Sequence, residues 1–224
     1  MWRQTWHDLL FAHWPVPASA LRPLVPDWLT IQEFNGTSWV GLVPFTMTGV
    51  TLRGVPSLPA ISHFPEMNLR LYVERDGKPG IWFISLDAAR RSAVYAARRF
   101  AHLPYFHASM KVLTTGNTIQ YASRRVGAPV VFLGTYAPVG PAAEAVPGSL
   151  DHFLTERYCL YTQAGPRRFR LEIHHQAWPL QPAKAEFITN EVARPQGIAL
   201  PDTRPLLHFS RKLDVIGWAL EQIP

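Results

Sequence analysis

The sequence EMNLRLYVERDGKPGIWFISL, residues 66–86, contains two strand-like runs joined by a turn. In the first run the odd positions from 67 to 73 are apolar and the even positions from 66 to 72 are polar, which is the alternation of a β-strand. Asp76-Gly77 is a strong hairpin signal because glycine tolerates a positive φ. The stretch therefore predicts an antiparallel pair of strands over residues 67–86.

Short strands are expected to dominate the rest of the chain, because 21 prolines and 14 glycines interrupt it and few windows keep the apolar period of a helix. The clearest further strands are 38–47, 118–123, 153–161, 169–175 and 207–215. Two short helices are expected, at 18–24 and 88–100. The segment 134–148 is rich in Pro, Gly and Ala, so it is either a long loop or lid between two halves or an ordinary surface connection.

Composition points to an ordered globular protein. With 224 residues, 47% of them hydrophobic and 17% charged, the chain can bury one core, and we expect one domain over 1–224. The single Cys159 excludes an intramolecular disulfide, and there is neither a signal peptide nor an apolar run of about 18 residues. We therefore expect a cytoplasmic protein that does not bind membranes. The many aromatic strand residues make a homo-oligomer plausible.

The basic charge does not predict nucleic-acid binding. The formal net charge is +6, but the arginines are spread along the chain as isolated pairs, with no basic run or nucleic-acid motif. The nine histidines show no HxH or HExxH spacing, so no metal is expected. No cofactor is expected either, because the chain lacks a P-loop and a Gly-x-Gly-x-x-Gly motif. Cys159 lies in an aromatic run, where a buried, inert thiol is the default.

Three groups of polar residues are candidates for a site. Glu66, Asn68 and Arg70 share one face of the first strand, which is either a solvated outer face or the wall of a polar cavity. His175 falls on the apolar face of the predicted strand 169–175, as a hydrogen-bonded core histidine or as an acid or base. Glu156 interrupts the apolar run 153–161, where a charge needs either a structural ion partner or a ligand.

Several segments together resemble the YqjF-like family of uncharacterised conserved proteins, within the acetoacetate decarboxylase-like superfamily. They are HWPVP (13–17), LRPLVP (21–26), WVGLVPF (39–45), EMNLRLYV (66–73), SLDA (85–88), LPY (103–105), TERY (155–158) and HHQAWPL (174–180). They follow one another in order over nearly the whole chain. The resemblance implies a β-rich α+β fold of mostly antiparallel sheets, which curl into a cone or barrel around an interior cavity.

The resemblance to the decarboxylase itself is weaker and covers about the first half. Glu66 resembles its active-site glutamate, and residues 97–108 resemble the segment that carries its two lysines, the first of which forms a Schiff base with a β-keto acid. Here the two lysine positions are Tyr105 and Phe106. Schiff-base decarboxylation is therefore not expected. The resemblance implies that Glu66, Arg98 and Tyr105 face the cavity.

Three hypotheses follow. The first is an enzyme that acts on a small carbonyl or carboxylate compound without an imine. In it Arg70 or Arg98 holds the anion, Glu66 is the acid or base, and Tyr105 and His107 donate hydrogen bonds to an oxyanion. The second is a noncatalytic small-molecule-binding protein, and the third is a structural or interaction module whose cavity is filled by side chains. The ligand-binding candidates are Asn68, Arg70, Arg98, Glu156, His175 and Trp178.

Overall fold

The computed structural model describes residues 1–52 and 62–224 and contains the predicted hairpin. Strands β4 (Phe64–Arg75) and β5 (Lys78–Ala88) pair antiparallel, with Arg75 opposite Lys78. Between them Asp76 and Gly77 have φ values of 51° and 74°, the left-handed pair that a two-residue hairpin turn requires. The prediction for 67–86 is thus confirmed.

Most of the other elements are strands, and the helices are short. The strands are β1 (Trp2–Pro15), β2 (Thr30–Ile31), β3 (Trp39–Leu52), β6 (Tyr105–Thr115), β7 (Thr118–Arg125), β8 (Val131–Pro138), β9 (Cys159–Ala164), β10 (Arg167–His174), β11 (Gln181–Asn190), β12 (Leu206–Gly217) and β13 (Glu221–Ile223). The helices are α1 (Ala18–Leu21), α2 (Arg91–Ala96) and α3 (Leu150–Thr155), with 3₁₀ turns at Arg22–Leu24 and Arg194–Gln196 and a π-helical turn at Ala97–Ala101. No helix of the described residues is long and apolar enough to cross a membrane.

The strands form one curled sheet that closes on itself twice. Starting at β5, one ring runs through β6, β7, β8, β11, β12, β1, β3 and β4 and returns to β5. A second ring leaves β5 through β9 and β10 to β12. It then shares β1, β3 and β4 with the first ring and returns to β5. Only the pairs β5–β6 and β5–β9 are parallel within the described residues. The expected β-rich fold of curled, mostly antiparallel sheets is confirmed.

Strand β4 is buried on both faces because it belongs to both rings. Its apolar residues, at odd positions 67–73, pack in the core beside aromatic residues of β7 and β8 such as Tyr121 and Phe132. Its polar residues are buried as well, with exposed fractions of only 3% for Glu66 and 9% for Arg70. The polar face is therefore not the solvated face that alternation alone permitted.

Several predicted boundaries were wrong. Residues 153–161 were expected as a strand, but α3 covers the first part, because the Ser149 hydroxyl caps it by accepting the His152 N–H at 3.2 Å. The helix expected at 88–100 begins later, since Ala88 still belongs to β5. The loop expected at 134–148 begins only after residue 138, because β8 pairs with β11 up to there.

Candidate functional site

A cavity of about 840 Å³ lies inside the second ring, between β1, β3, β4, β5, β9 and β10. The α2 helix and the π-helical turn cover one side of it. Most of its wall is apolar, with aromatic side chains from Trp2, Trp6, Phe45, Phe64, Phe83, Phe100, Trp178 and Trp218. The described side chains therefore leave this space unfilled.

No lysine lines this cavity among the described residues, which include all four lysines of the chain. Incubation with acetoacetate and sodium borohydride is therefore expected to leave no reduced imine adduct, because a Schiff base needs a neutral amine at the reacting carbonyl. Intact-protein mass spectrometry measures this, with a sample that lacks acetoacetate as the control. A stoichiometric adduct on one lysine would contradict the inference.

Glu66 and Tyr105 form a buried hydrogen-bonded pair at the cavity wall. The Tyr105 hydroxyl donates to Glu66 Oε2 at 2.7 Å. Burial raises the pKa of Glu66 to about 8, although the bond from Tyr105 opposes that shift and Asp87 adds to it. Burial and then the nearby Glu66 raise the pKa of Tyr105 well above its usual range. At neutral pH both groups are thus mostly protonated, and Glu66 can change its charge near pH 8.

A cationic end of the cavity lies four residues further along β4. Arg70 Nη2 donates to the Leu154 carbonyl oxygen at 3.0 Å, and its guanidinium lies 5.1 Å from the centre of the Phe11 ring. Arg157 is only 7% exposed and donates to the Phe153 carbonyl oxygen. Burial, and to a smaller extent Arg70, lower the pKa of Arg157 to about 10.

These two buried guanidiniums have no carboxylate partner within 4.0 Å in the part of the chain that the structure describes. Their donors go instead to backbone carbonyls, to the Tyr72 hydroxyl and to Gln32 Oε1. Buried charges in proteins are usually paired, because removing an ion from water costs several kcal/mol. Arg70 and Arg157 therefore leave an excess of positive charge at this end of the cavity.

Asn68 and an aromatic cluster complete the wall. Asn68 lies between Glu66 and Arg70 on β4, and its Oδ1 is buried without a hydrogen-bond partner among the described residues. His175 donates from Nδ1 to the Gln176 carbonyl oxygen at 2.7 Å and packs edge-on against Trp178. Burial lowers the pKa of His175, so the ring is neutral at pH 7. It adds an uncharged polar edge to an aromatic surface.

The structure brings most of the proposed site residues to this cavity, but not all of them. Glu66, Asn68, Arg70, Tyr105, His175 and Trp178 line it. Arg98 and His107 instead line a separate groove on the outside, beside the exposed Tyr95. Glu156 lies behind the wall, where its carboxylate accepts the Trp178 backbone N–H at 3.0 Å and the Tyr158 hydroxyl proton.

A buried ion pair joins β5 and β7, the strands on either side of the strand that carries Tyr105. Arg125 Nε donates to Asp87 Oδ1 at 2.9 Å, and both side chains are almost fully buried. The Arg125 guanidinium also lies 4.0 Å from the centre of the Phe106 ring. Phe106 corresponds to the second lysine in the segment that resembles the decarboxylase. Its ring packs against Arg125, a cation that already has Asp87 as its anionic partner.

Sequence reasoning did not select Arg157, Trp6 or the pair Asp87–Arg125 for the site. A signal for Arg157 was present, since a charged residue in an apolar run needs a partner or a ligand. Trp2 and Trp6 alternate with the polar residues Arg3, Thr5 and His7 in the first half of β1, but this pattern indicates a strand and not a cavity. The Cys159 thiol lines the cavity and is buried, and burial raises its pKa, which agrees with the inert thiol that was expected.

Comparison with known proteins identifies relatives of this chain. A family model described as "Uncharacterized conserved protein" matches residues 3–214. The chain is 47% identical over 221 residues to "Uncharacterized protein YqjF" of Bacillus subtilis (strain 168), which covers 98% of this chain and 91% of that protein.

Solved structures share its fold at low sequence identity. The enduracididine biosynthesis enzyme MppR, complexed with pyruvate, superimposes with a TM-score of 0.71 at 11% identity, over 99% of this chain and 89% of that one. Acetoacetate decarboxylase from Legionella pneumophila gives a TM-score of 0.66 at 12% identity, over 100% of this chain and 87% of that one. The fold is therefore acetoacetate decarboxylase-like.

Proposed function

The chain belongs to the DUF2071 family of uncharacterized conserved proteins, and from its geometry we propose that it binds a carbonyl-bearing organic acid in the interior cavity and transfers a proton there. The observation that carries the proposal is the buried Glu66–Tyr105 pair at the cavity wall. The complex of MppR with pyruvate supports the class of ligand, since that protein of the same fold holds a carbonyl acid. No imine takes part, because no lysine of the described chain reaches the cavity.

The Glu66 carboxylate acts as the base. It removes a proton from the carbon next to the ligand carbonyl, and the electron pair of the broken C–H bond forms the C=C bond of an enolate. Once Glu66 is protonated, it no longer carries the negative charge that the hydrogen bond from Tyr105 stabilises. The Tyr105 hydroxyl is then free to donate to the enolate oxygen, where negative charge has developed. Reversal of these steps returns a proton to the carbon.

Arg70 and Arg157 hold the carboxylate of the ligand. A carboxylate supplies the negative charge that these two guanidiniums lack among the described residues, and its oxygens accept the bonds that guanidinium groups donate. The aromatic wall contacts the remainder of the ligand. In this arrangement the positive end fixes the orientation of the acid, and Glu66 and Tyr105 act on its carbonyl.

The test is exchange of hydrogen for deuterium at the carbons next to a ketone, followed by NMR in deuterium oxide. The substrates are 4-oxopentanoate, 2-octanone and 9-oxodecanoate, in which the carboxylate is near, absent and remote. We expect the protein to accelerate exchange of at least one of them. The rate should rise with pH, reach half its maximum near pH 8 and level off about one pH unit above the pKa of Glu66.

Glu66→Gln is expected to slow that exchange about 100-fold or more, because removal of a positioned general base costs that much. Arg98→Met, an exposed residue of the outer groove, should leave the rate unchanged and is the matched control. Exchange that survives Glu66→Gln would contradict the assignment of the base. A ligand that raises thermal stability without any exchange would favour the noncatalytic alternative over proton transfer.

A further inference from the structure

The polar groups of the cavity are arranged along one axis. Glu66 and Arg70 are four residues apart on β4, so their Cα atoms are roughly 14 Å apart at about 3.4 Å per strand residue. The pairing of β3 with β4 shows which residues lie along the same axis beyond Glu66. Phe45 of β3 pairs with Glu66, and Met47 pairs with Phe64 of β4, so apolar residues lie beyond Glu66 on these two strands.

The Arg70 guanidinium is held by two hydrogen-bond acceptors. It donates to the hydroxyl of Tyr72, which is the next residue on the same face in the direction away from Glu66, and to the Leu154 carbonyl oxygen. These bonds fix the guanidinium beside α3, so the spacing of the two residues along β4 determines the separation of the polar ends. A short β-keto acid, whose carboxylate and carbonyl carbons are two bonds apart, cannot contact Arg70 and Glu66 together.

Among the described residues, the end of the cavity away from Arg70 is apolar. Trp2 and Trp6 of β1 line the cavity on the side away from Arg70, and Phe11 of the same strand contacts the Arg70 guanidinium. Phe100 and Trp218 line the opening and are 69% and 45% exposed. The volume of about 840 Å³ corresponds to the liquid volume of roughly 28 water molecules. A ligand of six heavy atoms would leave most of this apolar wall in contact with water.

On the basis of the proposed function, we infer that the ligand is an extended, apolar-bodied oxo acid. Its carboxylate binds Arg70 and Arg157 at the closed end, and its chain passes Asn68 toward the opening. Its reacting carbonyl lies at Glu66 and Tyr105, about eight or more bonds from the carboxylate, because an extended chain covers about 1.2 Å per bond. The aromatic wall contacts the intervening methylene groups.

The experiment measures the dissociation constants of a series of methyl-ketone acids, namely 4-oxopentanoate, 7-oxooctanoate, 9-oxodecanoate and 11-oxododecanoate, by isothermal titration calorimetry. We expect affinity to increase about threefold to fourfold per methylene up to 9-oxodecanoate, which is the gain for burial of one methylene group. Exchange next to the ketone should be fastest for 9-oxodecanoate or 11-oxododecanoate. The ketones 2-octanone and 2-decanone, which lack the carboxylate, are measured in parallel.

Arg70→Met is expected to weaken binding of 9-oxodecanoate about 30-fold and to change binding of 2-decanone by less than about threefold, because only the acid uses the charge. Arg70→Lys, which keeps the charge, should recover part of the loss, and circular dichroism checks that each variant is folded. Arg98→Met is the control and should bind both compounds like the original protein.

The two proposals fail in different ways. Affinity that does not change with chain length, or equal losses for acid and ketone in Arg70→Met, would overturn the extended-acid inference. If Glu66-dependent exchange of 4-oxopentanoate persists in that case, the proposed proton transfer still holds. Absence of Glu66-dependent exchange for every compound, with a length-dependent affinity retained, would instead reject the proton transfer and leave an extended acid as a bound ligand.

Discussion

Replacement of Glu66 by glutamine is expected to stabilise the protein by about 4 to 5 kcal/mol at pH 8.5 and by less than about 1 kcal/mol at pH 5. Burial holds the pKa of Glu66 at about 8 in the folded protein, compared with the ordinary value of 4.5. The folded state therefore binds more protons than the unfolded state between about pH 4.5 and pH 8. Because of this difference the stability of the original protein decreases as pH rises through that range, and Glu66 reduces it most above pH 8.

Glutamine cannot ionise, so Glu66→Gln removes this contribution while its amide oxygen still accepts the Tyr105 hydroxyl proton. Urea denaturation at pH 5, 7 and 8.5 measures the free energy of unfolding of both proteins. Glu33→Gln, at an exposed position, is the matched control and should follow the original protein at every pH. Parallel stability curves for Glu66→Gln and the original protein would show that Glu66 ionises normally in the fold.

The Glu66 face could be predicted because its signals are local. The period of two places Glu66, Asn68 and Arg70 on one side of a strand, and the Asp76-Gly77 turn fixes the partner strand. Whether that side meets water or a cavity depends on closure by β9 and β10, about ninety residues further along the chain. Alternation contains no information about such a distant contact, so the burial of all three side chains needed the structure.

Arg98 shows where the resemblance to the decarboxylase gave a wrong placement. Arg98 was expected in the cavity because its segment resembles that of the decarboxylase. In the structure a π-helical turn covers Ala97–Ala101, and Ala97, Phe100 and Ala101 line the cavity while Arg98 is exposed. A helical segment presents only one side to the interior. The small and apolar residues occupy that side here, so the arginine lies on the other.

Arg157 shows the opposite case. The sequence correctly indicated a charge that needs a partner or a ligand, but the apolar segment around it, 153–161, was predicted as a strand. Apolar density alone does not distinguish a buried helix from a strand over so few residues. The Ser149 side chain caps the helix α3, so the first part of this run is helical. Arg157 lies in the turn between α3 and β9, where its guanidinium is beside the cavity.

Replacement of Arg125 by methionine is expected to destabilise the protein by about 3 to 5 kcal/mol at pH 7. Asp87 and Arg125 are almost fully buried, and loss of the guanidinium leaves the carboxylate without its charged partner. For a chain of this length the change corresponds to a decrease in Tm of roughly 10 °C. Arg124→Met, the exposed neighbour on β7, is the matched control and should shift Tm by little.

The pH dependence separates this electrostatic effect from a loss of packing. Burial raises the pKa of Asp87 even beside Arg125, which opposes that shift. Without the arginine the pKa of Asp87 rises further, so a lower pH favours the protonated, uncharged carboxyl group in the folded variant. The destabilisation should therefore be smaller at pH 4.5 than at pH 7, and Asp87→Asn combined with Arg125→Met should recover part of it at pH 7. If the loss is the same at both pH values and the double variant recovers nothing, the contact between Arg125 and the Phe106 ring, and not the ion pair, stabilises this side of the cavity.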